Sequence, residues 1–307
     1  MTGATGFIGR HVAARLAASG MHVGAIGRAP RHTAAAQTPG VEWLYADLLA
    51  EDESRRLVAA FRPDILVHAA WYTRHGLFWT AKENTDWRAA SIALAEAFRD
   101  AGGRRFIGIG SCAEYDWTSP GSVAWPETRP LLPATPYGSA KCEAAARIAA
   151  LCAEAGMEFG WARLFHLFGA DEPPDRLVSS LAIALLAGKE ATVGSGRHRR
   201  DFCDSAFAGR AIAALAVSRA CGPVNIGSGQ SVTIAKVARL MGDLCGRSDL
   251  VRLGSRPDRP DDPLYLVPDV RRLRTVVGFR EQHDLRARLA AAINDQRRCA
   301  ANMASMA

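Results

Sequence analysis

The sequence lacks the cysteine patterns of a zinc site or of a disulfide framework. Its seven cysteines are an odd number at scattered spacings, without a CxxC pair or a Cys/His cluster. We therefore expect no metal. The longest clean apolar run, Leu181 to Ala187, is far shorter than the roughly 20 residues that cross a bilayer, and the first residues lack the basic and apolar regions of a signal peptide. We expect a soluble cytoplasmic protein with no membrane partner.

Lysine is also scarce. Only four of the 38 basic residues are lysines, although the formal net charge is +7. The basic residues are spread along the chain and are not interleaved with aromatic residues, which argues against a nucleic-acid partner. Arginine binds phosphate through two parallel hydrogen bonds. A small phosphorylated ligand therefore accounts for part of the excess charge, and an arginine-rich solvated surface accounts for most of the rest.

Short β-like runs alternate with amphipathic helical stretches in the first half of the chain. This alternation predicts an α/β fold with a doubly wound parallel sheet over residues 1–168. A smaller α/β part, interleaved with the first, is predicted over residues 169–307, and the cleft between the two is the expected ligand site. Predicted helices cover residues 7–19, 51–61, 82–100, 137–155, 177–186, 205–219, 234–245 and 285–298, and predicted strands cover residues 22–26, 41–45, 64–69, 105–109 and 158–165.

A glycine-rich loop opens the chain directly before an apolar-faced helix. Glycines at three-residue spacing allow the backbone to approach a pyrophosphate, and the N-terminal amides of the helix point at the anion. The loop therefore predicts dinucleotide binding. An adenine ring would lie beside the end of the third predicted strand, at Asp47 and Leu48. In the loop itself, the predicted cofactor contacts are Gly3, Thr5, Gly6, Phe7, Ile8 and Gly9.

One feature disagrees with this pattern. The glycine loop should follow a β-strand, but only Met1 precedes Thr2. Such a strand is buried on both faces, and its loss would remove many kcal/mol of apolar burial. We therefore expect the natural protein to begin several residues upstream.

The end of the second predicted strand indicates the cofactor. A carboxylate at this position binds the ribose hydroxyls of NAD, whereas an arginine accommodates the extra phosphate of NADP. The chain has Arg28 here, followed by Arg31, with no acidic residue nearby. The sequence therefore favours NADP over NAD.

A tyrosine and a lysine lie four residues apart at the start of a predicted helix. Tyr137 and Lys141 therefore share one helical face, and an ammonium beside a phenol stabilises the phenolate. Ser111 follows a predicted strand at the edge where parallel sheets bind ligands. Its hydroxyl could bind the same substrate oxygen that Tyr137 protonates. Ser111, Tyr137 and Lys141 are the predicted catalytic residues, and Tyr137 and Lys141 are also predicted to hold the nicotinamide ribose.

The glycine loop, followed along the chain by Ser111 and then by Tyr137 and Lys141, resembles the motif order of the extended short-chain dehydrogenase/reductases of the NAD-dependent epimerase/dehydratase family. The resemblance implies a Rossmann-type fold, a nucleotide diphosphate sugar as ligand, cofactor contacts from Ala69 and Ala70, and a homodimer. It also implies that Arg200 and Arg259 bind the substrate diphosphate and that Asn225 lines the nucleotide pocket. The other implied substrate contacts are Asn84, Ser111, Arg163 and His166, where His166 stands in place of an asparagine that the family often has.

The residues after Ser111 bear on the type of reaction. Sugar 4,6-dehydratases of this family carry an Asp-Glu pair at this point, where the chain has Cys112-Ala113. Glu114 comes one place later, and on an extended backbone its side chain would face the opposite side. Dehydration is therefore disfavoured. The stretch around Ser111 is similar to that of CDP-abequose synthase-like reductases, which favours reduction of a 4-keto-6-deoxyhexose at C4; 4-epimerisation is the alternative, and a non-catalytic dinucleotide-binding protein is disfavoured.

Overall fold

The computed structural model describes residues 1–27, 39–119 and 121–306, apart from the side chains of residues 51 and 302–306. Two short 3₁₀ turns, Cys112–Glu114 and Ser248–Leu250, accompany the helices and strands. The helices are α1 Gly9–Ala18, α2 Glu51–Phe61, α3 Glu83–Asp100, α4 Pro136–Glu154, α5 Leu177–Leu186, α6 Ser205–Val217, α7 Ile234–Cys245, α8 Arg271–Thr275 and α9 Leu285–Met306. The strands are β1 Val23–Gly27, β2 Val41–Tyr45, β3 Ile65–His68, β4 Arg105–Ser111, β5 Glu158–Leu164, β6 Leu167–Phe168, β7 Ala191–Thr192, β8 Arg199–Arg200, β9 Cys203–Asp204, β10 Gly222–Ile226, β11 Val232–Thr233, β12 Val251–Arg252 and β13 Tyr265–Leu266.

The main sheet is parallel. Strands β10, β5, β4 and β3 pair in that order, and β1 pairs with β2. The first two residues of the chain lie between these groups, since Thr2 forms parallel bridges with both Ile26 and His68. The Thr2 N–H donates to the Val67 carbonyl at 3.0 Å, and the Ile26 N–H donates to the Met1 carbonyl at 2.8 Å. Met1 and Thr2 thus link β1 to β3 at the position of the central strand.

Apolar side chains cover both faces of this sheet. Successive residues of a strand point to opposite faces. Accordingly, Leu66 and Phe106 belong to a cluster with α2, α3 and α4, whereas Val67 and Ile107 belong to a cluster with α1 and α6. The prediction of a doubly wound parallel α/β fold is confirmed.

The later part of the chain contributes to both halves of the molecule. Helices α5, α7 and α9 share a separate apolar cluster, whereas β10 pairs with β5 in the main sheet and α6 packs on α1. The predicted division at residue 169 stays a prediction. Among the described residues, no helix is long and apolar enough to cross a membrane.

Candidate active site

The glycine loop packs against the end of β3. Gly3 has a φ of +67°, and a Cβ there would lie 2.7 Å from the backbone of Ala69 and Ala70. A Cβ on Gly9 would lie only 2.0 Å from the Gly3 carbonyl oxygen. Gly6 is exposed, and among the described residues a Cβ there would meet only that carbonyl oxygen, at 3.1 Å. Gly3 and Gly9 therefore pack tightly against neighbouring backbone, whereas the backbone at Gly6 is exposed. This exposed backbone suits the close approach of a pyrophosphate.

The remaining predicted cofactor residues have mixed surroundings. Asp47 is exposed and its carboxylate accepts a hydrogen bond from the Leu49 N–H, while Leu48 is buried. Thr5, Phe7 and Ile8 lie in the loop before α1, and Phe7 and Ile8 also pack on the apolar cluster beneath the sheet. Arg28 and Arg31 lie outside the described residues.

Ser111 ends β4 and begins a 3₁₀ turn. Its hydroxyl accepts a hydrogen bond from the Ala113 N–H at 3.2 Å, and its own N–H donates to a Glu114 carboxylate oxygen at 2.7 Å. These reciprocal bonds form a capping box. They hold the Ser111 side chain at the carboxyl edge of the sheet.

Tyr137 lies in the first turn of α4. Thr135 caps this helix by accepting from the Gly138 N–H at 3.1 Å, and Pro136 fits the first position because its missing N–H is not needed there. The Tyr137 N–H donates to the Trp79 carbonyl at 3.1 Å. Burial raises the pKa of the Tyr137 phenol well above its usual range, and the nearby Ser111 hydroxyl opposes this rise. The next residue, Gly138, packs so closely on the turn after Ser111 that a Cβ there would lie 2.4 Å from the Ala113 carbonyl oxygen. The structure therefore places Ser111 and Tyr137 near each other.

Lys141 is buried one turn further along α4. Its ammonium donates to the Ile109 carbonyl at 2.7 Å and lies 3.7 Å from the centre of the Trp71 ring. Burial lowers the pKa of Lys141 to about 7, against the attraction of Glu114. The predicted effect of this ammonium on the Tyr137 phenol stays a prediction.

Glu114 belongs to a buried ion pair. Its side chain is fully buried and accepts from the Arg163 guanidinium at 2.8 Å and from the Trp161 indole at 3.0 Å. The sequence predicts an extended backbone at Glu114, but Cys112–Glu114 is a 3₁₀ turn. The carboxylate is turned away from solvent for this reason, and its partners lie inside the protein.

Two predicted substrate residues extend this buried network. Arg163 also donates to the Tyr115 hydroxyl at 3.2 Å, and that hydroxyl donates to the Asn225 side-chain oxygen at 2.7 Å. The Asn225 amide donates in turn to the Trp125 carbonyl at 2.8 Å. Arg163 is 5% exposed and Asn225 is fully buried. Their polar groups form hydrogen bonds inside the protein, and the predicted substrate contact of both residues stays a prediction.

Asn84 is a third such residue. It is 2% exposed, accepts from the Trp71 indole at 2.9 Å, and donates to the Phe78 and Ala81 carbonyls at 2.7 and 2.9 Å. Asn84 therefore ties together the segment between β3 and α3, and its predicted substrate contact stays a prediction. The rings of Phe78 and Trp79 reach the Tyr137 ring edge-on, at 4.9 and 5.8 Å between centres.

The predicted diphosphate arginines differ in their surroundings. Arg200 is 2% exposed and pairs with Asp262 at 2.5 Å. Arg259 is exposed on the loop between β12 and β13. His166 lies close enough to Arg200 for that charge to add to the effect of burial, and together they lower the pKa of His166 to about 3. Its Nδ1 is buried and has no hydrogen-bond partner among the described residues, and the predicted substrate contact of His166 stays a prediction.

The parallel sheet, the open glycine loop at its edge, and the serine, tyrosine and lysine beside it define an extended short-chain dehydrogenase/reductase. The family model described as "NAD dependent epimerase/dehydratase family" matches residues 1–227. The chain belongs to this family.

Curated relatives carry several activities on nucleotide sugars. UDP-glucuronic acid decarboxylase 1 of Xenopus tropicalis is 30% identical over 158 residues, which are 50% of this chain and 37% of that protein. The chain thus spans little more than a third of the decarboxylase. The dTDP-6-deoxy-L-talose 4-dehydrogenase (NAD(P)(+)) of Kitasatospora kifunensis is 30% identical over 255 residues, which are 78% of this chain and 76% of that one. UDP-glucose 4-epimerase of Mycolicibacterium smegmatis is 27% identical, over 92% and 93% of the two chains.

Solved structures show the same fold. MoeE5 in complex with UDP-glucose and NAD has a TM-score of 0.82 at 28% identity and covers 97% of this chain and 98% of its own. The Thermus thermophilus UDP-glucose 4-epimerase complex with NAD has a TM-score of 0.83 at 21% identity, with 96% and 97% covered. Both structures contain NAD. The expectation of NADP is therefore wrong; it depended on Arg28 and Arg31, which lie outside the described residues.

Proposed function

We propose that the protein is an NAD-dependent oxidoreductase that acts at C4 of a nucleotide diphosphate sugar, and that it reduces the 4-keto group of a 6-deoxyhexose. The observation that carries the proposal is that the start of α4, which holds Tyr137, packs on the turn that Ser111 begins at the carboxyl end of β4, where a Cβ on Gly138 would lie 2.4 Å from the Ala113 carbonyl oxygen. In open parallel sheets this edge binds the ligand. The glycine loop lies at the same edge, so cofactor and sugar would meet there.

The protonation of Tyr137 suits reduction of a ketone. NAD, when bound in its reduced form, supplies the hydride. Because burial raises the pKa of Tyr137, the phenol carries its proton at neutral pH and can donate it to the ketone oxygen. The Ser111 hydroxyl would hold the same oxygen, and Lys141, one turn away, would bind the nicotinamide ribose and assist reprotonation of the phenol.

The substrate side supports a diphosphate ligand. Arg200 and His166 lie close together, and Arg259 is on the adjacent exposed loop. A guanidinium binds phosphate oxygens through two parallel hydrogen bonds. Asp262 already pairs with Arg200, so the incoming diphosphate would have to replace that carboxylate.

Two other reactions at the sugar, 4-epimerisation and elimination of water, are supported to different degrees. The epimerase relative, which aligns over 93% of its own length, supports a 4-epimerase as the alternative. Elimination of water needs a second acid or base beside the sugar. Glu114 does not supply one, because its carboxylate is bound by Arg163 and Trp161 in the protein interior. The Kitasatospora relative, named for a 4-dehydrogenase of a 6-deoxy sugar, supports C4 redox chemistry as the first choice.

The test is to add the purified protein to a nucleotide diphosphate 4-keto-6-deoxyhexose and NADH. The proposal predicts loss of the reduced-nicotinamide absorbance in proportion to the sugar reduced. In a second reaction, with a nucleotide diphosphate hexose and NAD, interconversion of the two C4 epimers without net formation of NADH would identify the epimerase instead. Turnover of neither kind would overturn the proposal. A homodimer stays a further expectation, which light scattering would test.

A further inference from the structure

Lys141 has an unusual neighbour for a buried ammonium. The face of Trp71 lies 3.7 Å from the Lys141 nitrogen, measured to the ring centre, while the Trp161 ring is 6.0 Å away. A cation over the face of a tryptophan is attracted by the ring quadrupole, and the attraction grows when water is excluded. Lys141 is 4% exposed, so this contact is made in a largely dry environment.

Trp71 is held in place rather than resting there by chance. Its indole N–H donates to the Asn84 side-chain oxygen at 2.9 Å. Asn84 is 2% exposed and is itself fixed by the carbonyls of Phe78 and Ala81. The edge of Trp71 also meets the Tyr137 ring, with 6.4 Å between centres and 82° between planes. A single residue thus touches both members of the predicted catalytic pair on α4.

The other groups that face Lys141 compensate its charge only in part. Glu114, in the 3₁₀ turn, favours the ammonium, but its carboxylate is bound to Arg163. His68, at the end of β3, is neutral because burial and the Lys141 charge lower its pKa to about 3. Tyr137 is a neutral phenol, and the Ile109 carbonyl provides one hydrogen bond. Among the described residues, the Trp71 ring face is the aromatic contact nearest to the ammonium, at 3.7 Å against 6.0 Å for Trp161.

We propose that Trp71 is a positioning residue that keeps Lys141 in its ammonium form and fixes it beside Tyr137. This inference rests on the proposed function for its consequence, since the ammonium is the form that binds ribose hydroxyls and supports proton transfer through Tyr137. The contact itself can be tested without turnover.

The scarcity of lysine makes a direct measurement practical. The chain has only four lysines, Lys82, Lys141, Lys189 and Lys236, so NMR of the full chain labelled at the lysine ε-carbon gives four signals. Lys141→Arg identifies the signal to follow. The titration is compared in the unchanged protein, in Trp71→Phe, which keeps an aromatic face, and in Trp71→Leu and Trp71→Met, which do not. Trp43→Leu is the matched control, because Trp43 lies on β2, which is separated from β3 by β1 and Thr2.

We expect the midpoint of Lys141 to fall by about one pH unit in Trp71→Leu and Trp71→Met, and by less in Trp71→Phe. Trp43→Leu should leave it unchanged. The alkaline limb of the kcat profile should move to lower pH by the same amount. A Lys141 midpoint that does not respond to either aliphatic variant, or that falls equally in Trp71→Phe, would overturn the inference. A responding midpoint in a protein that does not act on the 4-keto sugar would overturn the proposed function and leave the role of Trp71 standing.

Discussion

The cofactor side and the substrate side of this site are built in different ways. On the cofactor side, Gly3, Gly6 and Gly9 bring bare backbone to the edge of the sheet, and their value is the absence of side chains. On the substrate side, the polar side chains of Asn84, Arg163 and Asn225 form hydrogen bonds with other groups in the protein interior. Changes on the cofactor side should therefore affect ligand binding first. Changes on the substrate side should affect stability first.

The largest expected effect on stability concerns the buried ion pair of Arg163 and Glu114. Arg163→Ala leaves the Glu114 carboxylate buried without its cation, and removing one partner of a buried pair costs about 3–5 kcal/mol. We expect a fall of this size in the free energy of unfolding, measured by chemical denaturation. Arg252→Ala is the control, because its pair with Glu190 is half exposed and should contribute less than about 1 kcal/mol. Equal losses in the two variants would remove the structural role assigned to Arg163.

The glycine loop should respond in the opposite manner. A Cβ on Gly9 would lie 2.0 Å from the Gly3 carbonyl oxygen, so Gly9→Ala must displace the loop, and overpacking of this kind costs about 1–3 kcal/mol. We expect NAD to bind roughly 10- to 100-fold more weakly by calorimetry. Gly121→Ala, where a Cβ would meet no atom of the described residues within 4 Å, should leave binding unchanged. If Gly9→Ala binds NAD with unaltered affinity, the proposed binding of the cofactor at the glycine loop is contradicted.

His68 predicts a pH dependence of stability on the cofactor side. It lies between the hydroxyls of Thr2 and Ser91, each at 2.8 Å, and burial lowers its pKa from 6.5 to about 3. Below about pH 6.5, His68 therefore takes up a proton in the unfolded chain but stays neutral in the folded chain. The free energy of unfolding falls for this reason as the pH drops from about 6.5 towards 3. At pH 5 this amounts to about 2 kcal/mol. In His68→Asn the stability should vary less between pH 7 and 5, whereas the exposed His22→Asn should keep the original slope.

The smallest effect concerns Asp262 on the substrate side. Its carboxylate pairs with Arg200, where the diphosphate is proposed to bind. Asp262→Asn removes a competing negative charge, and we expect KM for the nucleotide sugar to fall a few-fold while kcat stays the same, since a partly exposed pair is worth about 1 kcal/mol or less. Steady-state kinetics at constant ionic strength measures this. A rise in KM would show that the carboxylate itself contacts the substrate.

The two sides also differ in what the sequence could reveal. The glycine loop is a local pattern, because its spacing and the following helix lie within ten residues. The partners of the polar residues are distant in the chain: Tyr115 meets Asn225 across 110 positions. A motif shows that a polar side chain is needed, but not whether its partner is a ligand or the protein. The sequence predicts an extended backbone at Glu114, whereas the structure has a 3₁₀ turn there that buries the side chain.

Helix and strand bounds were predictable where hydrophobic periodicity was strong. Helices α2, α5 and α7 have the predicted limits, whereas α9 continues to Met306 instead of ending at residue 298. The many two-residue strands beyond residue 166 were not predicted. Strands this short have no periodic signal, since their pairing depends on partners elsewhere in the fold.

The central claim is that a hydride moves between NAD and C4 of the sugar beside Tyr137. The most direct measurement uses a nucleotide diphosphate 6-deoxyhexose deuterated at C4, incubated with NAD, with the nicotinamide analysed by mass spectrometry. The account predicts deuterium in the reduced nicotinamide, with the rate about 10²- to 10⁴-fold lower in Tyr137→Phe. Nicotinamide without deuterium, or equal transfer by Tyr137→Phe, would contradict it.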